Sequence, residues 1–287
     1  MKQPAPDFYL IAHSHGLSLL DGITDWRKKK LVVDEHDPRY GEAFQGWFNG
    51  SIMNDPFSAN VIDNTVLLNK IEAWVITCGS KIGPLAKLES KSGTPNLRIS
   101  RKFSDILDSW NGPLPIVSML NGNEPALTML NRLPAYDFID QEISAIEANV
   151  PIIDEMFIDQ SISAWVSEVY FSLVAIKKLV RNKLIHVLPP PPRENPLFSQ
   201  HFEVLSDLVK RHGFLSDQLR VKWYRRYCRR LITLLTSLDC NVVAPPADAC
   251  NSDGLLKEEY AEGLTHGNSK YGQLIAKQIA LIVPTAR

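Results

Sequence analysis

Several short polar stretches of this sequence carry side chains that could do chemistry. They combine hydroxyl, imidazole, amide and guanidinium groups, which can act as nucleophiles, proton acceptors and hydrogen-bond donors. The side chains are those of His13, Ser14, His15, Asn123, Arg193 and His266. Their position relative to the predicted strands and helices is more informative than any one of them.

The elements that must position these groups alternate along the chain. Short apolar runs predict strands, and apolar residues at helical spacing predict helices. The predicted strands are 7–12, 73–77, 115–120, 183–188 and 241–244, and the predicted helices are 103–110, 162–179, 216–238 and 269–283, with another starting near Leu17. This alternation predicts an α/β fold in which helices cover both faces of a parallel sheet.

The polar stretches fall at one edge of that predicted sheet. Ser14 follows the first strand, Asn123 follows the strand at 115–120, and His266 precedes the last helix. Arg193 follows the strand at 183–188 and four prolines. Because ligands of doubly wound sheets bind outside the carboxyl ends of the strands, we expect a single site there.

Two stretches do not follow the alternation. The stretch 26–66 has little periodicity and is predicted to be mostly loop. From Leu133 to Gln160 there are seven acidic residues and no basic one. This favours the solvated face of a helical insertion over 125–160, with a lid over the site or a partner-docking surface as alternatives. The six basic residues of the helix at 216–238 are likewise predicted to lie mostly on a solvated face.

Composition excludes several classes of protein. The 287 residues include 31 basic and 32 acidic side chains, which argues against a nucleic-acid partner. The chain has no long apolar run and no secretory leader at its start, so we expect a cytoplasmic protein without a membrane partner. The four cysteines lack zinc-site spacing and no glycine-rich nucleotide motif occurs, so no metal or cofactor is predicted. We expect one α/β domain over residues 1–287.

Three of the polar stretches carry a family resemblance. The turn Ala12-His13-Ser14, the stretch Gly122-Asn123-Glu124 and the block Gly263-Leu264-Thr265-His266 occur in that order over nearly the whole chain. Together they resemble the Gly-Asp-Ser, Gly-x-Asn-Asp and Asp-x-x-His blocks of the SGNH, or GDSL-like, hydrolase family. The resemblance implies a three-layer α/β/α fold of flavodoxin-like type with a central parallel sheet.

The resemblance also implies acyl transfer through a serine, in a serine esterase or acyltransferase acting on an ester or thioester of a small molecule or sugar. Ser14 would be the nucleophile and His266 its base. The backbone N–H of Ser14 and the amide of Asn123 would bind the oxyanion, with a glycine N–H as the third donor. Gly50 is the predicted glycine, and Gly46 and Gly79 are alternatives. His13, His15 and Arg193 are further candidates for the oxyanion or substrate site.

Two positions depart from the family pattern. His13 stands where the family has an aspartate, and Gly263 stands where it has the aspartate of the triad. The adjacent Glu262 is the predicted partner of His266. Asp253 and Glu259 are further candidates, and a Ser–His dyad with a main-chain carbonyl on the imidazole is the alternative. A catalytically degenerate binding or scaffold protein of the same fold is the second hypothesis.

Each of these residues also has an ordinary structural interpretation. Ser14 could cap a helix, and Asn123 could bond the backbone of a turn. His266 could lie beside a helix cap formed by Asn268 or Thr265. His186 lies inside an apolar strand and is predicted to be a hydrogen-bonded core residue.

Overall fold

The computed structural model describes residues 8–12, 15–23, 52–57, 71–76, 86–91, 94–99, 104, 107–108, 110, 112–121, 135–194 and 213–283. The strands are β1 (Phe8–Ala12), β2 (Ile52–Phe57), β3 (Ile71–Ile76), β4 (Ala86–Lys91), β5 (Thr94–Ile99), β6 (Ile116–Met119), β7 (Leu184–Val187), β8 (Asn241–Val243), β9 (Ala261–Glu262) and β10 (His266–Gly267). The α-helices in the described part of the chain that are longer than three residues are α1 (Gly16–Ile23), α2 (Glu155–Leu179), α3 (Asp217–Thr236) and α4 (Ser269–Ile282).

Six strands form the central sheet, in the order β2-β3-β1-β6-β7-β8. All neighbours pair in parallel except β2, which runs antiparallel to β3 at the edge. Counted along the chain, the five parallel strands have the order 2-1-3-4-5, which is the flavodoxin-like order. The predicted α/β class with a parallel sheet is confirmed. The topological switch point lies between β1 and β6, where the chain changes direction across the sheet.

Side chains alternate between the two faces of the sheet and build a core on each. Phe8 and Leu10 of β1 belong to one hydrophobic cluster, with residues of α1 and α4, while Ile11 belongs to the other, with residues of α2 and α3. Strands β6 and β7 are buried throughout. Because both faces are covered, these strands read as continuous apolar runs, and this is why they could be predicted.

Helices α1 and α4 touch through two glycines. A Cβ at Gly272 in α4 would overlap the carbonyl oxygen of Ser18 in α1. A Cβ at Gly22 would come within 2.5 Å of the backbone nitrogen of Gln273. The missing side chains allow the two helix backbones to meet directly, and each helix starts close to a predicted site residue, His15 before α1 and His266 before α4.

Within the described residues 135–160, the segment predicted as a helical insertion is helical only at its end. Residues 135–153 contain turns and an isolated bridge between Asp137 and Ile152, and α2 begins at Glu155, with Asp154 as its N-cap. The acid-rich sequence does not form a helix of its own here, because its carboxylates bond backbone N–H groups and side chains of α3. Asp137, for example, accepts the backbone N–H groups of Phe138 and Glu147.

The basic residues of α3 are also placed differently from the prediction. Lys222 is fully buried, and its ammonium binds the buried carboxylate of Asp137 at 2.7 Å. Arg226 and Arg229 pair with further acidic residues of the neighbouring segment: Glu155, Asp159, Asp140 and Glu142. Five of the seven acidic residues therefore pair with α3, so neither side is a free solvated face. This pairing also argues against the acidic segment as a docking surface for a partner.

The stretch predicted to be mostly loop contains a strand, β2, whose sequence IMNDPF includes a proline. This is a correction, and its physical reason is that proline cannot donate to a strand ladder and is confined to edge positions such as this one. The possible strand at 31–33 lies outside the described residues. Among the described residues, no helix is both long and apolar enough to cross a membrane.

Candidate active site

Four of the predicted site residues belong to the described part of the chain: His15, Arg193, Glu262 and His266. The other predicted site residues, His13, Ser14, Gly50 and Asn123, lie outside it, as do Gly46 and Gly79. The described residues place the elements on either side of Ser14, because Ala12 ends β1 and His15 precedes α1.

The passage from β1 to α1 is close-packed. A Cβ at Gly16 would overlap the Cβ of Ala12, so only glycine permits this approach of the helix to the strand end. Ser18 donates its hydroxyl to the carbonyl of His15 at 2.8 Å. The His15 side chain is 3% exposed and therefore points into the molecule rather than into solvent.

His266 stands on a short hairpin that precedes α4. Strands β9 and β10 pair antiparallel, with His266 opposite Glu262 and Gly267 opposite Ala261. Gly263 has a φ of 60° in the turn between them, a backbone conformation that glycine adopts without strain. The hairpin explains how Glu262, four residues before His266, comes to face it.

Asn268 holds the hairpin to the start of α4. Its side-chain oxygen accepts the N–H groups of Lys270 and Tyr271, which makes it the N-cap, as the sequence suggested. Its backbone N–H donates to the carbonyl of Tyr260, and its side-chain amide donates to that of Glu259. The strand of His266 is thus held to the start of α4 and to the segment before β9.

The imidazole of His266 has two polar neighbours and a low-dielectric environment. Its Nδ1 lies 3.0 Å from the hydroxyl oxygen of Thr265. Burial lowers the pKa of His266 below its ordinary value, and the negative charge of Glu262 partly offsets this effect. The ring is consequently neutral at pH 7, which is the state a general base requires. The other two carboxylates considered as partners of His266 are those of Asp253 and Glu259, and both residues are exposed.

His15 and His266 lie face to face. Their ring centroids are 4.5 Å apart, and their planes differ by 25°. This stack joins the residue that directly follows Ser14 in the sequence to the predicted base, across more than 250 positions of chain. It is formed where α1 and α4 start, next to the carboxyl end of β1.

Arg193 lies in the loop after β7 and binds the turn of the hairpin that carries His266. Its guanidinium forms an ion pair with Glu258 and donates from Nη1 to the carbonyl of Gly263 at 2.7 Å. Arg220 of α3 donates to the carbonyl of Arg193 at 2.7 Å and pairs with Asp217. Both guanidiniums therefore bond groups of the chain itself.

A buried chain of polar side chains lies at the end of β6. His186 bridges the hydroxyl of Ser118 through Nδ1 and the side-chain oxygen of Asn121 through Nε2, both at 3.2 Å. The Asn121 amide donates to the carbonyl of Val187 at 2.7 Å, so Nε2 of His186 carries the proton and Nδ1 accepts from Ser118. His186 is a hydrogen-bonded core residue, as predicted, and it anchors the residue two positions before Asn123.

Sequence reasoning gave Thr265 and Asn121 no role in orienting other residues of this region. Thr265 adjoins the base, and a hydroxyl beside a histidine is too common a pair to single out. Asn121 follows a buried strand, and its partner His186 follows 65 positions later, so no local spacing relates them.

No protein-family model matches the chain, and no curated protein sequence matches it significantly. Two solved structures resemble it over most of its length. A Bacteroides fragilis protein assigned as an acylhydrolase has 12% identity and a TM-score of 0.40, over 98% of this chain and 90% of its own. Est24, a carbohydrate acetylesterase from Sinorhizobium meliloti, has 12% identity and a TM-score of 0.42, over 96% of this chain and 97% of its own. At this level of identity, the function has to be argued from the residues of the site.

Proposed function

We propose that this protein is a serine-dependent ester hydrolase or acyltransferase of SGNH type, with Ser14 as the nucleophile and His266 as its base. The observation that carries the proposal is the stack of His266 on His15, the residue that follows Ser14 directly in the chain. A base must lie within hydrogen-bond reach of its nucleophile, and the contact of His266 with the chain neighbour of Ser14 supports this assignment.

The position of this contact in the fold supports the same conclusion. His15 follows β1, and β1 and β6 flank the topological switch point of the sheet. In open α/β sheets this crevice is where ligands bind. Asn123, the proposed oxyanion donor, follows β6 in the sequence, so the two proposed groups come from the two strands that border the crevice.

The proposed reaction proceeds in two steps. Oγ of Ser14 attacks the acyl carbon while its proton passes to Nε2 of His266, and the C–O or C–S bond of the ester or thioester breaks as the leaving group takes that proton. Water or an acceptor hydroxyl then attacks the acyl-serine and loses its proton to His266. The bond between the acyl carbon and Oγ breaks as His266 gives that proton to Oγ, which restores Ser14 and releases the acid or the new ester. The negative oxygen of each tetrahedral intermediate would be bound by the amide of Asn123 and by backbone N–H groups.

Glu262 and Thr265 are the proposed orienting groups of His266. With the proton on Nδ1, the ring donates to the hydroxyl of Thr265 and presents the lone pair of Nε2 to the nucleophile. The charge of Glu262 favours the imidazolium that forms during the reaction. In a triad, the third member both orients the imidazole and stabilises the imidazolium. Here the hydroxyl of Thr265 would do the first and the carboxylate of Glu262 the second.

A binding or scaffold protein of the same fold is the second candidate. It is favoured by Gly263 at the position of the family's aspartate and by a hydroxyl, rather than a carboxylate, at Nδ1 of His266. This candidate predicts the same fold and the same ligand crevice without turnover, so a reaction at Ser14 distinguishes the two.

The deciding experiment is labelling with a serine-reactive fluorophosphonate, followed by mass-spectrometric mapping of the modified residue. We expect labelling of Ser14 in the wild type, none in Ser14→Ala, and strongly reduced labelling in His266→Gln. Ser252→Ala is the matched control, because Ser252 is an exposed serine in a turn, and it should label like the wild type. The same proteins are assayed against a panel of short acyl esters.

An unlabelled wild type that is folded by circular dichroism and inactive across the ester panel would contradict the enzymatic proposal and favour the binding protein. Labelling that persists in Ser14→Ala would contradict the choice of nucleophile.

A further inference from the structure

The rings of His15 and His266 are stacked, which is one of the two arrangements that aromatic pairs prefer. Their centroids are 4.5 Å apart and their planes differ by 25°. His15 covers one face of the imidazole of His266, while Thr265 and Glu262 act on its edge. The ring of His266 is thereby restrained about both of its side-chain torsions.

The stack is held rigidly from the side of His15. The carbonyl of His15 accepts the hydroxyl of Ser18, one turn into α1. Ser18 in turn lies against Gly272 of α4, at the point where the two helix backbones touch. Because α4 begins three residues after His266, the same helix contact helps to set the positions of both rings.

We propose that His15 is a positioning residue for the candidate base: its ring face holds the imidazole of His266 in the orientation that reaches Ser14 and keeps water from that face. This inference rests on the proposed function, since it assigns a role in the proposed reaction. It differs from the sequence prediction, in which His15 was a candidate for the oxyanion or substrate site.

The role needs a flat, buried ring and does not need the nitrogens of His15. Phenylalanine supplies the flat ring, while alanine removes it and opens a space that water can enter. Among the described residues, the charged and titratable groups near His266 are Glu262 on β9, His15 itself, and Tyr271 of α4, which packs against Gly267. Glu262 and Tyr271 are unchanged in both variants, so the two variants differ from one another only in the ring.

The test compares wild type, His15→Ala and His15→Phe in steady-state ester hydrolysis across pH. We expect kcat to fall at least tenfold in His15→Ala with KM changed by less than threefold, and most of that loss to be restored in His15→Phe. We also expect the acid limb of kcat/KM to move up toward pH 6.5 in His15→Ala alone, because water relieves the desolvation that lowers the pKa of His266. A purely structural role would lower the melting temperature without moving this limb.

Two measurements keep the outcomes separate. Nuclear magnetic resonance titration of the His266 ring reads its pKa directly and without turnover, and His15→Leu replaces His15→Ala if the latter does not fold, since leucine fills space without a flat ring. Equal kcat and equal His266 titration in all variants, with Ser14 still labelled in the wild type, would overturn the role of His15 and leave the proposed function standing. Absence of labelling at Ser14 in the wild type would instead overturn the proposed function.

Discussion

The fully buried His186 makes the stability of this protein depend on pH in a way that can be calculated. Burial lowers the pKa of His186 from the ordinary value of 6.5 to about 3. The unfolded chain therefore binds a proton at this residue below pH 6.5, while the folded chain resists it until about pH 3. Because the unfolded state binds more protons in this window, the free energy of unfolding must fall as the pH falls.

The magnitude follows from the width of the window. Each pH unit below 6.5 costs about 1.4 kcal/mol of stability for one such group. At pH 5 the loss from His186 is thus about 2 kcal/mol relative to neutral pH, and at pH 3 it is about 4 kcal/mol. A domain with a stability of about 5–15 kcal/mol would be substantially weakened by this residue alone.

The assay is urea denaturation of the wild type and His186→Gln at pH 7, 6 and 5, with unfolding monitored by tryptophan fluorescence. Glutamine can offer a donor to Asn121 and an acceptor to Ser118, but it does not titrate. We expect the wild type to lose about 2 kcal/mol more than the variant between pH 7 and pH 5, whatever the difference between them at pH 7. Parallel pH dependences in the two proteins, or a His186 resonance that titrates near pH 6.5, would refute the reasoning.

Two further predictions concern the acidic segment and the base. Lys222→Met leaves the buried carboxylate of Asp137 without its cation, so we expect the free energy of unfolding in urea to fall by about 3–5 kcal/mol. The double variant Lys222→Met/Asp137→Asn should recover part of this loss. A loss under about 1 kcal/mol in Lys222→Met would contradict the role of the pair in stability. Glu262→Gln removes the charge that raises the pKa of His266, so the acid limb of kcat/KM should move to lower pH while kcat falls, by up to about 10⁴-fold if Glu262 acts as the third triad member. An unchanged pH profile in Glu262→Gln would exclude that carboxylate as the partner of the base.

The strands that could be predicted are those buried on both faces. Segments such as PIVSML and KLIHVL contain little but apolar residues, because each side chain meets a helix layer whichever way it points. Strand β2 could not be found in this way. It pairs along one edge with β3, and its sequence IMNDPF has neither a continuous apolar run nor a clear alternation.

Charge patterns were harder to interpret than apolar ones. The sequence contains an acidic segment and a basic helix, and each taken alone is typical of a solvated face. In the fold they neutralise one another, as in the pairs of Arg226 with Asp159 and of Lys222 with Asp137. The partners in these pairs are 67 and 85 positions apart in the sequence, so no short-range pattern of residues relates one partner to the other.

The candidate site, too, depends on contacts between distant residues that leave no local signal in the sequence. Family-like blocks indicated His266 and Glu262, but they carried no information about which surface would cover the imidazole. That surface is set by the contact of α1 with α4, where Gly272 admits the backbone of Ser18. A residue that fills this gap would push apart the two helices whose first turns adjoin His15 and His266. The geometry of the proposed base therefore depends on a glycine with no chemistry of its own, and this dependence is visible only once the two helices are packed together.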